Sequence, residues 1–280
     1  MDMETTGDIS ETRTPQRPVS VKRWQAGEHS VARDYLAEET AVALVYNGIS
    51  HAVMMASPTD LADFALGFSL TEGIVQRPDE IYDLEVVQQS QGFELQLTIS
   101  SQRLLALKQR RRNLTGRTGC GLCGAESLQQ ALRPIQRLPD RPAICDQAFQ
   151  KAISQLESLQ PLQAQTGACH GAAWCDREGY IQWVREDVGR HNALDKLIGT
   201  LHSNDVNTNE GFVLISSRAS YEMVQKAVAA GIGTLTAVSA PTALALEYAQ
   251  QANLQLVGFA RSQRHVTYHP LAGEPPFINA

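Results

Sequence analysis

The sequence predicts an α/β protein of two parts, a smaller N-terminal α+β domain followed by a larger C-terminal domain built on a sheet with helices on both faces. Three observations carry this reading. From His191 onward, short apolar runs alternate with amphipathic helical stretches, the rhythm of a mostly parallel sheet. Before residue 113 the order is hairpin, helix, hairpin, helix. Between the two lies a segment too rich in glycine for either element.

Residues 1–18 are polar, contain two prolines and show no period, so they read as a flexible tail with order beginning near Val19 to Trp24. Ala41 to Tyr46, then Asn47-Gly48, then Ile49 to Met55 is a hairpin, because Asn-Gly suits a tight primed turn. Pro58-Thr59-Asp60 opens a helix with Leu61, Phe64, Ala65 and Phe68 at helical spacing, and Gly73 closes it. Tyr82 to Val87 and Phe93 to Ile99 make a second hairpin, and Ser101 to Arg112 a helix, which sets the N-terminal domain at 19–113. In the C-terminal domain, 127–280, Ser127 to Arg133 is a short helical piece, and Asp146 caps a helix reaching Leu159. Gly167 to Cys175 and Gly179 to Val184 pair as a hairpin. The remainder alternates helix 191–201, strand 212–216, helix 221–230, strand 234–238, helix 242–251 and strand 254–259.

Composition narrows the function classes. The 280 residues, 43% hydrophobic, suffice for one large domain or two modest ones. A formal net charge of −6 argues against nucleic acid as a partner. No stretch approaches the roughly 18 apolar residues of a membrane span. Five cysteines without an export signal point to reduced thiols in the cytoplasm.

The loop 114–126 carries the densest chemistry. Cys120 and Cys123 lie two residues apart among Gly116, Gly119, Gly121 and Gly124, and follow Lys108, Arg110, Arg111, Arg112 and Arg117. Nearby positive charge lowers a thiol's pKa, and glycines leave it uncovered, so a mobile, reactive thiol is one reading. A zinc half-site, a dithiol redox pair and an ordinary turn are the others. No second Cys-x-x-Cys completes a zinc knuckle, and no His-x-Glu precedes Cys120 as zinc deaminase chemistry requires. No metal site is expected.

The second dense stretch is Val184 to Leu197, where acid, base, glycine and imidazole crowd a strand-to-helix turn. Asp187 or Asn192 could simply cap the helix. His170 reads as a core histidine and Cys145 as incidental. Ligands of open α/β sheets bind at the carboxyl ends of the strands. Those ends carry Arg185-Glu186-Asp187, Ser216-Ser217-Arg218, Ser239 to Thr242 and Arg261 to Arg264, a set that favours a phosphate-bearing ligand.

Arg117 to Gly124 together with Glu186 to Lys196 resembles the FdhD family of formate dehydrogenase accessory sulfurtransferases, and Ser216 to Arg218 and Phe259 to Arg264 add to the match. The resemblance spans about residue 20 to the C-terminus. It implies a cytidine-deaminase-like three-layer α/β/α domain without the zinc site, and a cytoplasmic homodimer. It also implies a sulfurtransferase that takes sulfur from a cysteine desulfurase and passes it to the molybdenum of the bis-molybdopterin guanine dinucleotide cofactor (Mo-bis-MGD), for a formate dehydrogenase. The persulfide carrier falls on Cys120, with Cys123 assisting or resolving. The cofactor segment falls on Phe259, Ala260, Arg261, Ser262, Gln263 and Arg264, with Arg218, Asp187 and His191 as further candidates. A non-enzymatic cofactor carrier or chaperone and a dithiol reductase are the competing functions.

Overall fold

The computed structural model describes residues 14–115 and 135–271; the expected Cys-x-x-Cys loop and the helix expected over 127–133 lie outside the described residues.

The N-terminal part is organised by the Asn47-Gly48 turn. Its residues have φ of 48° and 77°, as a primed turn requires, and they join β3 (Thr40–Tyr46) to β4 (Ile49–Ala56). With β5 (Ile81–Gln89) and β6 (Gly92–Ile99) these make a four-stranded sheet of order β4-β3-β6-β5. β3 runs parallel to β6, because α1 (Leu61–Thr71) crosses between the two hairpins. One face of the sheet buries Val42, Leu44, Leu95 and Leu97 against Phe64 and Phe68 of α1, and α2 (Ser101–Thr115) adds Leu107.

Ahead of this sheet stands a hairpin that the sequence reading did not anticipate, β1 (Gln16–Gln25) with β2 (Glu28–Ala37). Order therefore begins at or before Gln16, inside the stretch read as tail. The strands escaped notice because most of their residues face solvent, so no alternation of apolar and polar residues marks them.

The C-terminal sheet has six strands in the order β12-β11-β10-β9-β7-β8. They are β7 (His170–Asp176), β8 (Ile181–Asp187), β9 (Gly211–Ile215), β10 (Thr234–Ala237), β11 (Gln255–Arg261) and β12 (Arg264–His269). Only β9, β10 and β11 are mutually parallel, so the sheet is mixed rather than mostly parallel. The βαβ rhythm governs the centre, while hairpins β7–β8 and β11–β12 supply both edges. α5 (Arg190–Ser203), α6 (Tyr221–Ala229) and α7 (Ala243–Ala252) pack on one face through Leu194, Leu197, Met223, Val224 and Ala249. α3 (Asp146–Leu156) covers the other with Phe149 against Phe212 and Leu214. Asp146 does not cap α3: Cys145 is the N-cap residue, and the Asp146 carboxylate accepts from His265 Nε2 at 2.8 Å. The α-helix ends at Leu156, and a 3-10 turn completes the stretch to Leu159.

Candidate functional site

The antiparallel start of β7 and the parallel ends of β9, β10 and β11 meet at one edge of the C-terminal sheet. They frame a cleft of about 920 Å³. Its walls include Ile153 and Leu156 of α3, Gln160 and Gln163 around the short helix α4 (Pro161–Thr166), Cys169, His170, Ser216, Val238, Ala260 and Arg261. Two of the six residues from the expected cofactor segment thus line it.

That segment forms the end of β11 and the turn into β12. Phe259 holds φ of +49°, a left-handed conformation uncommon for a bulky residue, and its N–H donates to Ser239 O at 3.1 Å. Backbone in such sparsely populated regions costs about 1–3 kcal/mol and clusters at ligand sites. Ser262 and Gln263 make the turn, Gln263 with φ of 62°. The Arg264 guanidinium lies 6.0 Å from the centre of the Phe259 ring. Arg261, Ser262, Gln263 and Arg264 are exposed, so both guanidinium groups are free to meet an anion. Arg218 is also exposed, just past β9.

The cleft wall holds a donor with nothing to donate to: Gln160 is only 5% exposed and its Nε2 lacks a hydrogen-bond partner. At the start of α5, outside the cleft lining, the buried atoms Arg190 Nε and His191 Nε2 also lack one. Burial and the neighbouring Arg190 hold both His170 and His191 below the usual histidine range, so both imidazoles are neutral at neutral pH. His191 Nε2 lies 3.8 Å from Glu222, too far for a hydrogen bond. Unsatisfied buried donors are rare enough to call for a cause, and an acceptor-rich ligand supplies one. Gln160 escaped the sequence reading; the one signal was its position immediately before the Pro161 that starts a helix. Cys169 faces the same cleft, but burial pushes its thiol up and away from reactivity.

The Glu186 to Lys196 motif has a different placement. Asp187 and Lys196 are fully buried and paired at 2.7 Å. Asp187 Oδ2 also accepts from Ser57 N, and Oδ1 from Gly189 N and Asn192 Nδ2. Lys196 Nζ donates to Ser57 O at 3.0 Å, and Asn192 Nδ2 to Met55 O at 2.8 Å. Asp187 is therefore occupied in joining the two parts of the chain, not in the cleft. A second junction lies along the same helix, where Lys226 Nζ meets Asp195 Oδ2 at 2.9 Å, Glu72 Oε1 at 3.0 Å and Thr71 Oγ1 at 3.0 Å. Arg185, expected at the ligand edge, pairs instead with Asp63 of α1 at 2.9 Å. Glu186 caps α4 by accepting from Leu162 N and Gln163 N. Helices α1 and α5 touch at backbone distance: a Cβ on Gly67 would lie 1.8 Å from Asp195 O, and one on Gly199 1.9 Å from Asp63 O.

Among the described residues, no three His, Cys, Asp or Glu side chains converge as metal ligands. Cys120 and Cys123 lie outside the described residues.

Fold and site define a two-part α/β protein with an anion-receptive cleft at the edge of its mixed sheet. The chain belongs to the FdhD/NarQ family, whose model matches residues 37–272. It is 54% identical over 252 residues to the sulfur carrier protein FdhD of Cupriavidus necator, covering 90% of this chain and 88% of that one. Identity is 52% over 262 residues to the protein of the same name from Bordetella petrii, with 92% and 94% covered. A solved structure from Desulfotalea psychrophila, assigned as a formate dehydrogenase accessory protein, shares the fold. Its TM-score is 0.66 at 22% identity, covering 91% of this chain and 96% of that one. No helix of the described residues is long and apolar enough to cross a membrane.

Proposed function

We propose that this protein is a sulfurtransferase that matures a formate dehydrogenase, with Cys120 as a persulfide carrier and Mo-bis-MGD as the substrate that receives the sulfur. The observation that carries the reading is the match, 52–54% identical over 90–92% of the chain, to proteins named sulfur carrier, in a chain that itself bears the Cys120-x-x-Cys123 pair. The cleft supports the second half. Arg261 on its wall, with Arg264 across the same β11–β12 turn and the open donor of Gln160, suits the pyrophosphate and carbonyl acceptors of a guanine dinucleotide. The mixed sheet between two helical layers supports the cytidine-deaminase-like reading of this domain.

In the loading step, the Cys120 thiolate attacks the outer sulfur of a desulfurase persulfide. The donor's S–S bond breaks, its cysteine leaves as thiolate, and the sulfane sulfur remains on Cys120. Arg117 and the upstream arginines favour the attacking thiolate. Cys123 then stands ready to resolve a mixed disulfide. Mo-bis-MGD is held meanwhile by its nucleotide ends.

Mass spectrometry after incubation with a cysteine desulfurase and cysteine tests this. One added sulfur on Cys120, lost in Cys120→Ala together with formate dehydrogenase activity in cells, is the expected result. No adduct, with maturation intact in Cys120→Ala, would leave a non-enzymatic cofactor carrier. A Cys120–Cys123 disulfide with turnover would make it a dithiol reductase.

A further inference from the structure

The cleft above lies at the carboxyl ends of the parallel strands, where α6 begins. A second recess, of about 560 Å³, lies where α5 and α6 end, on the seam between the two parts of the chain. Leu70, Thr71, Val75 and Gln76 enter it from the end of α1 and the loop that follows. Gln136, His202 of α5, Gln225 and Val228 of α6, and Tyr248 of α7 enter it from the C-terminal domain. Its size falls within the range of small-molecule pockets.

The floor is apolar, because Leu70, Val75, Val228 and Tyr248 are all buried. Around it stand three carboxamides and an imidazole, brought from four separate stretches of chain. Among the described residues, the side chains of Gln76, Gln136, Gln225 and His202 have no hydrogen-bond partner. A carboxamide presents donor and acceptor side by side and can pair with the edge of a flat heterocycle.

Charge is missing from this recess. No Asp, Glu, Lys or Arg is among its described lining residues. Lys226 and Glu72, close by, are engaged with each other, and Lys226 also with Asp195. Burial holds His202 below the usual histidine range against the pull of Asp205, so its imidazole is neutral at neutral pH. α1 ends at Thr71, α5 at Ser203 and α6 at Ala229, so three helix carboxyl ends approach the recess. Each carries about half a negative charge, which disfavours a phosphate or carboxylate. A full cation, for its part, finds no carboxylate in the lining to offset its desolvation.

We propose that this recess binds a flat, uncharged heterocycle with a lactam edge, a free nucleobase or nucleoside, its edge read by Gln76, Gln136 and Gln225 and its ring laid on Val228 and Tyr248. The ligand touches both parts of the chain, and Thr71 in its wall also donates to Asp195 at 2.7 Å. Binding therefore braces the seam. The site is independent of the sulfur-transfer reading and chemically opposite to the anion-receptive cleft.

The full chain is titrated calorimetrically with uridine, and with uridine monophosphate as its charged counterpart. Uridine is expected to bind and to raise the melting temperature, and the monophosphate to bind about tenfold more weakly or worse. Gln76→Leu with Gln225→Leu should weaken uridine about tenfold or more, since two neutral hydrogen bonds are lost. Ala229 is exposed on the rim, so Ala229→Trp plugs the recess while every carboxamide stays, and it should abolish binding. The circular dichroism spectrum of each variant stays that of the wild type. Nuclear magnetic resonance of histidine-labelled protein locates the ligand: uridine should shift the His202 ring signals, assigned through His202→Gln, and leave those of His170 in place. Saturating GDP should not alter the uridine affinity. No uridine binding at millimolar concentration, equal affinity for the monophosphate, variants that bind as the wild type does, or displacement by GDP would each overturn the proposal.

Discussion

Lys226→Met removes the charge at the centre of the second junction while keeping most of the side chain's bulk. Lys226 is 8% exposed at its side chain and Asp195 2%. Burial raises the Asp195 carboxyl, and Lys226 pulls it back. Burial also works to lower Lys226, but Asp195 and Glu72 together carry it above the usual lysine value. Without the ammonium, Asp195 keeps the Thr71 hydroxyl at 2.7 Å as its remaining side-chain donor, whereas Glu72 is partly exposed and rehydrates. Breaking a buried pair by removing one partner costs about 3–5 kcal/mol, and the surviving hydroxyl places this case near 3. With a urea m-value of about 3 kcal/mol/M for a large domain, the midpoint should fall by about 1 M. The sign with pH follows from linkage. An acid whose folded pKa is raised binds a proton on folding, so its favourable contribution is present below its unfolded pKa and is lost as pH rises through the folded value. Lys226→Met should therefore lose stability with rising pH more steeply than the wild type, and Lys226→Met with Asp195→Leu should recover most of the deficit. A single variant losing under about 1 kcal/mol, or a double variant no more stable than the single, would refute the account of this junction.

Three further outcomes follow from the geometry. Arg261→Ala with Arg264→Ala should weaken GDP, the nucleotide end of the proposed substrate, in a calorimetric titration. Two exposed phosphate contacts at about 1 kcal/mol each amount to roughly thirtyfold, and unchanged affinity would place the nucleotide elsewhere. His170, which lines the cleft, is held below the usual histidine value in the free protein, so a phosphate beside it raises it and the complex takes up protons. GDP should bind more tightly at about pH 6 than at about pH 8, and His170→Gln should flatten the profile; a flat wild-type profile would exclude a phosphate at that spot. Gly199→Ala forces a Cβ to within 1.9 Å of the Asp63 carbonyl oxygen, a backbone atom that cannot swing aside. Overpacking of about 1–3 kcal/mol should outweigh the helix-propensity gain of about 1, lowering the melting temperature, and an unchanged or raised one would contradict the close approach of α1 and α5.

What the sequence disclosed depended on whether a feature was local. Asn47-Gly48 announces its hairpin because the turn's backbone demands residues that tolerate positive φ, and the alternation from Phe212 to Phe259 announces the βαβ centre of the sheet. β12 stayed hidden because Arg264-His265 gives it a polar start, and its turn, Ser262-Gln263, lacks the usual glycine. Asp187 and Lys196 show the harder limit. A cluster of charge at a strand-to-helix turn reads alike whether it faces a ligand or the inside of the molecule. The choice is made by Ser57, Thr71 and Glu72, more than a hundred residues earlier, and no local pattern links them to α5.

That placement changes how the two motifs cooperate. α2 leads to the loop bearing Cys120 and packs through Leu107 on the N-terminal core, whereas the chain past the loop is fixed to the C-terminal domain by the hydrogen bond from Leu138 N to Ala252 O. The two anchors of the loop bearing Cys120 thus belong to different parts of the molecule. Their separation is set by the contacts that lock α1 and the chain just before it to the C-terminal domain, namely Arg185 with Asp63, Thr71 with Asp195 and Lys226, and Ser57 with Asp187 and Lys196. A charged residue held at 0% exposure across such a boundary permits little slippage, because any rotation strands a buried charge. The motif from Glu186 to Lys196 therefore works at a distance from the cleft: it holds the two anchors of the loop bearing Cys120 at a fixed distance from the wall that Arg261 and His170 line.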